Sequence, residues 1–548
     1  MENIDAKKKV LKDLLSRDHF YRVPEYQRPY SWEEEHFTEL IDDLLNASKD
    51  REYFLGTIVV HNKGGVNDIV DGQQRLTTIL ILMACLRDLL DSKDFKGDLQ
   101  EKIVQKANKV DGIPEKIRIE VKDREAFNDI VVPAGGTNKI KSPDFITEPE
   151  WRYLKAIEVF KKALKILSQN ELENFTQFLS QNCVMVFLST TTFDDAFRLF
   201  TIVNDRGKQL RRIDILKANN ISPTLIKSEQ VRNSLAQKWE DAEKNLGGET
   251  FENMLFLLRL ILVGEKPQSD LLVEFEERVF KRNVVQKGES FVDLVCKYAT
   301  LYNDTFEDFT IFDASPIKNK LIGLTYIMNN EFKSNEWKAP VLLYLYKFKL
   351  DRFDEFLSFI ELKFLEGWIL NQTKDSRIVS FGNTTKSLSS ATTVDEVFSN
   401  IKTNINRKAM MPGLETDIYL KSYCRYILLR LELLASENDV EKKFKAKSIE
   451  HVLPQAPKNN SSWTKNFDSS EMANWTHKLA NLVLLSKSKN SSASNLDFSD
   501  KKDRYLSNRV SDYPRSVEIL RFRDWNPETL KKRQQKLLND ALKDVFND

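Results

Sequence analysis

Glu450 and His451 stand side by side in SIEHVLPQAP, residues 448–457, and one of only five histidines in 548 residues falls there. An imidazole with an ordinary pKa of about 6.5 can take a proton from water near neutral pH, and a neighbouring carboxylate can hold a divalent cation. Phosphodiester hydrolysis calls for both, a base for the attacking water and a cation for the leaving oxygen. Side chains alternate along a strand, so Glu450 and His451 point apart unless the backbone turns. Pro454 and Pro457 make a turn and loop the expected continuation. Downstream, LANLVLLSKSKN is a second strand-like run with Asn481 at its start and Asn490 at its end. One amide is suited to orient an imidazole, and another can complete a metal shell. His477, in MANWTHKLANL, is read as structural or phosphate-facing.

A second constellation lies in NDIVDGQQRLTTILILMACLRDLL, residues 67–90. An apolar strand turns at Asp71-Gly72-Gln73-Gln74-Arg75 into a helix whose Leu76, Ile79, Leu80, Met83 and Leu86 are expected on one face. A helix N-terminus presents unpaired N–H groups, so a glycine turn with an arginine beside it can bind phosphate. Asp71 can cap the helix or approach a metal. The GxxxxGK[ST] signature is absent from the sequence, which excludes a Walker-type route to nucleotide chemistry. In VNDRGKQL, Asn204, Asp205, Arg206 and Gly207 read as a polar turn, either a second wall of the same site or a helix C-cap. FYRVPEYQRPYSW interleaves aromatic residues with Arg and Gln. Most of these aromatics are expected in the core, with Tyr26, Gln27 and Arg28 the exceptions that could stack on bases and read polar edges.

Three regions must position these residues. Residues 1–225 mix strand-like runs (FYRVPEY, YFLGTIVV, CVMVFLST) with helical ones and read as an α/β or α+β domain, with a surface loop at 134–150. Residues 226–395 are mainly helical, and 396–548 open with helices before SIEHVLPQ and close on a basic helical tail. The expected fold class is multidomain α+β. Of 83 basic and 82 acidic residues, 21 and 14 lie from Glu441 onward, so a basic end follows a mildly acidic body. That asymmetry goes with a polyanion site or with a solvated basic helix such as KKRQQKLLNDALKDVF. Four separated cysteines without a CxxC pair give no disulfide framework or zinc ribbon. The first residues lack the apolar core of a signal peptide, and MLFLLRLILVG is short and interrupted by Arg259, so a soluble cytoplasmic protein without membrane spans is expected.

EHVLPQ followed by NLVLLSKSKN resembles the HNH, or His-Me finger, nuclease motif. The resemblance implies a ββα-metal fold around Mg²⁺ or Mn²⁺, with His451 as general base, Glu450 and Asn490 as metal ligands, and Asn481 orienting the histidine. Glu450 departs from the Asp of many relatives, which alters the reach of that ligand. At the other end, VPEYQRPYSWEEEHFTELIDDLL, DGQQR and AFRLFTIVNDRGKQLRRIDILKANNI together resemble the N-terminal domain of GmrSD-type modification-dependent (type IV) restriction endonucleases, a family with SspE-like, phosphorothioate-sensing relatives. The HNH segment belongs to the same family pattern, in the same order. The implied N-terminal fold is ParB/sulfiredoxin-like. Its nucleotide site would comprise Asp71, Gly72, Gln73, Gln74 and Arg75 with Asn204 and Arg206, taking GTP, UTP or ATP, and Tyr26, Gln27 and Arg28 would sense DNA or its modification. The implied activity is double-stranded DNA cleavage or nicking in bacterial anti-phage defence, controlled by DNA modification, NTP hydrolysis, or both. The competing expectation is a non-catalytic DNA sensor with a vestigial nuclease motif. A PD-(D/E)xK nuclease at PEKIRIEVK is disfavoured because Glu115 and Glu120-Val121-Lys122 stand too close for two strands.

Overall fold

The alternation of strand-like and helical runs in the first half of the sequence resolves into one six-stranded mixed sheet. The computed structural model describes the chain except residues 1–4, 64, 111, 140–146, 193–194, 197–198, 200–210, 402–404, 438–440, 442–443, 445–447, 486–494, 507–512 and 547–548. Three expected site residues, Asn204, Arg206 and Asn490, therefore lie outside the described residues. Two units emerge, Met1–Gln237 with Lys287–Glu289, and Lys238–Gln286 with Ser290–Asp548.

The first unit carries strands β1 (Asp5–Val10), β2 (Phe20–Arg22), β3 (Tyr53–Lys63), β4 (Val66–Asp71), β5 (Ile119–Glu120) and β6 (Cys183–Thr190). Their spatial order is β1-β6-β3-β4-β2-β5. The β3–β4 pair is an antiparallel hairpin, β3 runs parallel to β6, and β2 runs parallel to both β4 and β5. Helices α1 (Glu34–Asn46), α2 (Gln73–Leu89), α3 (Glu148–Leu164) and α4 (Gln169–Gln181) contribute the rest of its core. For α2 the expectation of one apolar face is corrected, because every residue from Leu76 to Arg87 is buried. Helix α3 and the helix Lys93–Ile103 both pack on α2, so Ile81, Leu82 and Cys85 are as enclosed as Leu76 and Ile79. An all-round apolar helix is what a central position demands. Its last turn is fixed by Arg87, which donates to the carbonyls of Val131, Val132 and Pro133 and pairs with Asp88.

The second unit is mostly helical. In it α5 (Phe353–Ile369) and α6 (Cys424–Leu434) are joined by a fully buried pair, Arg430 donating to Glu361 at 2.8 and 3.2 Å while Tyr426 donates to the same carboxylate at 2.6 Å. A buried pair of this kind fixes register more than it adds net stability. Two short strands, β7 (Ser448–His451) and β8 (Leu482–Leu485), pair antiparallel with His451 opposite Leu482 and Glu450 opposite Val483. Helices α7 (Phe498–Leu506) and α8 (Pro527–Ala541) follow. Val452, Leu453, Trp463, Val483, Phe498 and Trp525 form the small core under the strand pair. The multidomain, mainly helical architecture with an N-terminal α/β sheet agrees with the expected fold class.

Candidate functional site

Strand β7 delivers His451 at its last position, where the chain must turn away at Val452-Leu453-Pro454. Asn481, fully buried in the single turn Leu479–Asn481, fixes that departure. Its Oδ1 accepts from the Leu453 N–H at 2.7 Å and from Trp525 Nε1 at 3.2 Å. The Nδ2 donates to the carbonyls of Leu453 and Thr476, each at 2.9 Å, and the Asn481 carbonyl accepts the Val452 N–H at 3.0 Å. One amide thereby ties together the backbone just after His451 and the backbone just before His477. Asn481 meets the backbone on either side of the two histidines, while the imidazole of His451 meets other groups.

Those groups are His477, Gln455 and Tyr419. The Nε2 of His451 lies 3.2 Å from Nδ1 of His477, and its Nδ1 lies 3.1 Å from Nε2 of Gln455. The Tyr419 ring meets the imidazole edge-on, centroids 4.3 Å apart, and stacks on His477 at 5.4 Å. His451 is only 6% exposed. Burial pushes its pKa down to about 4, with the positive potential of His477 and Lys501 adding to the effect. At neutral pH the ring is therefore unprotonated and able to accept a proton. His477, read from sequence as structural or phosphate-facing, is in direct contact with the expected base.

Glu450 faces the other way, as strand alternation requires. Its Oε1 accepts from Nζ of Lys501 at 2.8 Å, and the same ammonium donates to the His451 carbonyl at 2.8 Å. Lys501, 1% exposed, has its pKa lowered by burial and raised in part by Glu450. A divalent cation needs several oxygen or nitrogen ligands converging on one point. Among the described residues no group of three or more His, Cys, Asp or Glu side chains is arranged to hold one. With Glu450 turned to Lys501 and Asn490 outside the described residues, the described side chains alone do not fit the metal that the HNH resemblance implies.

In the first unit the DGQQR stretch forms the expected strand, turn and helix. Gly72 adopts φ 91°, and a Cβ there would stand 3.0 Å from the Thr57 carbonyl oxygen, so only glycine fits the turn. Gln73 and Gln74 face the loop after β2. Gln73 Nε2 donates to the Arg28 carbonyl at 2.9 Å, Gln74 Nε2 donates to the Pro29 carbonyl at 3.2 Å, and Gln74 Oε1 accepts the Ser31 N–H at 2.8 Å. Gln27 Nε2 donates to the Val70 carbonyl at 2.8 Å. The two sequence motifs of this domain are thus stapled to one another. Tyr26 and Gln27 are buried, which leaves Arg28 as the half-exposed member of the expected sensing trio.

Arg75 differs from all of these. Among the described residues its guanidinium makes no hydrogen bond or ion pair. It lies against Gly56, φ 112°, where any Cβ would overlap it, and it is near enough to Asp71 and Tyr53 to feel their charge. Burial lowers the Arg75 pKa and raises that of Asp71, with the attraction between the two only partly offsetting it. A desolvated cation at the start of a long helix, with its donors unmatched among the described residues, is suited to an anionic oxygen.

Sequence reasoning missed Lys501 and Tyr419 and did not foresee the contact of His477 with His451. Gln455 was present in EHVLPQ, four residues beyond His451 across a proline turn, and that spacing was the available signal. Lys501 and Tyr419 arrive from 50 residues downstream and 32 upstream and carry no local signature.

Residues 11–221 match the N-terminal domain, and residues 411–540 the C-terminal domain, of GmrSD restriction endonucleases. No curated protein matches the chain.

Proposed function

Because the chain belongs to the GmrSD restriction endonuclease family, its N- and C-terminal domains matched in order, we propose that it hydrolyses DNA at His451 under control exerted through its first domain. Membership makes it a DNA endonuclease of restriction and defence. The observation that supports His451 is the buried, unprotonated imidazole at the end of β7, clasped by His477, Gln455 and Tyr419. Such a ring is free of its proton at neutral pH; burial weakens it as a base, and an anionic phosphate beside it would raise its proton affinity. The metal dependence expected of an HNH site, with Mg²⁺ or Mn²⁺, belongs to this proposal. So does NTP binding at Asp71–Arg75, where the unmatched Arg75 guanidinium would meet phosphate oxygens.

The test incubates the full chain with matched modified and unmodified phage DNA, with Mg²⁺, Mn²⁺ or chelator, and with or without GTP, UTP or ATP. Cleavage that disappears in His451→Ala supports the reading, and cleavage retained in that variant puts the active site elsewhere. The Glu450–Lys501 pair favours the second reading, a DNA sensor with a vestigial nuclease motif, because it commits the expected metal ligand to an ammonium. DNA binding without cleavage under every condition would establish that alternative.

A further inference from the structure

The start of β7, just before His451, lines a groove through Ser448 and Ile449. Side chains two apart on a strand share a face, so Ile449 lies on the same side as His451 and opposite to Glu450. Ile449 lines an open cavity of about 390 Å³ together with Glu331, Lys333, Tyr419, Lys421 and Arg425. Tyr419 is common to both places, lining the groove and resting its ring 4.3 Å from that of His451. Lys333, Lys421 and Arg425 are exposed. Arg425 donates to Glu331 at 2.7 Å, while the ammonium groups of Lys333 and Lys421 have no ion-pair partner among the described residues. Three cations against one carboxylate therefore border a groove whose wall shares Tyr419 with the contacts of the His451 imidazole.

We propose that this groove seats the DNA strand being cut, its phosphodiester backbone lying against Lys333, Lys421 and Arg425 as it passes Tyr419 to His451. The inference rests on the endonuclease reading and adds where the strand lies. Exposed cations at a groove floor too polar for an apolar ligand suit a repeating anion. Each phosphate they neutralise releases condensed counterions, which makes the contact readable as salt dependence.

The experiment measures affinity of the full chain for a short DNA duplex over a range of salt, in a His451→Ala background so that the DNA stays intact. Adding Lys333→Ala and Lys421→Ala should weaken binding roughly tenfold and reduce the slope of log affinity against log salt by about two. Both lysines are exposed, and circular dichroism should show the fold unchanged. A matched control, Lys281→Ala with Lys318→Ala, removes two exposed lysines of the same unit away from the groove and should leave the slope as it was. Unchanged affinity and slope in the groove variant, or an equal fall in the control, would overturn the assignment. Inorganic phosphate or a free nucleotide that competes as well as the duplex at equal phosphate concentration would also overturn it, by making the groove a small-anion site. Cleavage by the parent chain is scored separately: a failed slope test with His451-dependent cleavage sinks the groove alone, and absent cleavage with a changed slope sinks the endonuclease reading and leaves the groove a DNA-binding surface without a cut strand.

Discussion

Two desolvated cations, one in each unit, show how differently a fold can treat the same physical problem. Lys501 is buried with its charge answered, by the Glu450 carboxylate and the His451 carbonyl, both at 2.8 Å. Arg75 is taken largely out of water with no hydrogen bond or ion pair among the described residues. An unanswered buried charge costs free energy that the rest of the fold must offset. The first cation completes a structure, whereas the second leaves a demand that a ligand can meet. Perturbed groups of the second kind concentrate at functional sites.

The comparison can be sharpened most at the histidine that Lys501 helps to hold. Replacing a general base typically costs about 10² to 10⁴ in rate. His451→Ala should accordingly lose cleavage by at least about a hundredfold in a single-turnover assay, with the unfolding midpoint little changed. His477→Ala removes one contact to the ring, worth about 1 kcal/mol, and should slow cleavage only several-fold.

Next comes the lysine itself. Lys501→Met leaves the Glu450 carboxylate buried beside an apolar chain, and breaking a buried pair costs about 3 to 5 kcal/mol. Urea denaturation should register that loss at neutral pH. A variant as stable as the parent would show that Glu450 finds another cation.

Arg75→Ala should do the reverse. Its stability should stay within about 0.5 kcal/mol of the parent or rise, since no hydrogen-bond or ion-pair partner among the described residues is orphaned, while nucleotide affinity falls about ten- to a hundredfold through loss of a charge-assisted contact. Gly56→Ala, which pushes a methyl group into the guanidinium, should weaken nucleotide binding in the same direction. Calorimetric titration that finds both variants unaltered would reduce the turn to a structural feature.

The smallest expected effect is a pH dependence in which two groups oppose one another. The His451 pKa falls on folding from its ordinary value to about 4, so its contribution to stability is present above about pH 6.5 and lost as pH falls through about 4. Glu432, buried and accepting from the Arg515 N–H at 2.7 Å, is pushed up to about 7, chiefly by burial. Its contribution is present below about pH 4.5 and lost as pH rises through about 7. Each is on the order of 3 kcal/mol and they cancel over most of the same window. Thermal unfolding of the parent should therefore vary little between pH 5 and 7, and Glu432→Gln should expose a loss of stability on acidification.

Local pattern made part of this legible. The turn at Gly72, the strand before it and the helix after it follow from residue chemistry within a few positions, and so does the opposition of Glu450 and His451 across β7. The same pattern misjudged α2, whose neighbours wrap it completely. It also left Tyr26 and Gln27 as candidates for base recognition, although the fold buries both. Burial depends on what packs against a residue, and those partners come from 40 or more positions away, as Gln27 does against Val70.

By itself the sequence determined the residue types at 450, 451 and 481, the glycine turn before Arg75, and the order of the two domains. Only tertiary structure decided which groups touch. Asn481 joins the loop after His451 to the segment before His477, and that one side chain brings two histidines 26 residues apart to 3.2 Å. Lys501 reaches Glu450 because α7 packs back toward β7, and among the described residues no carboxylate approaches Arg75 closely enough to pair. Side-chain identity is a local property, whereas hydrogen-bond partnership and desolvation are set by the whole packed chain, which is why the second could not be read from the first.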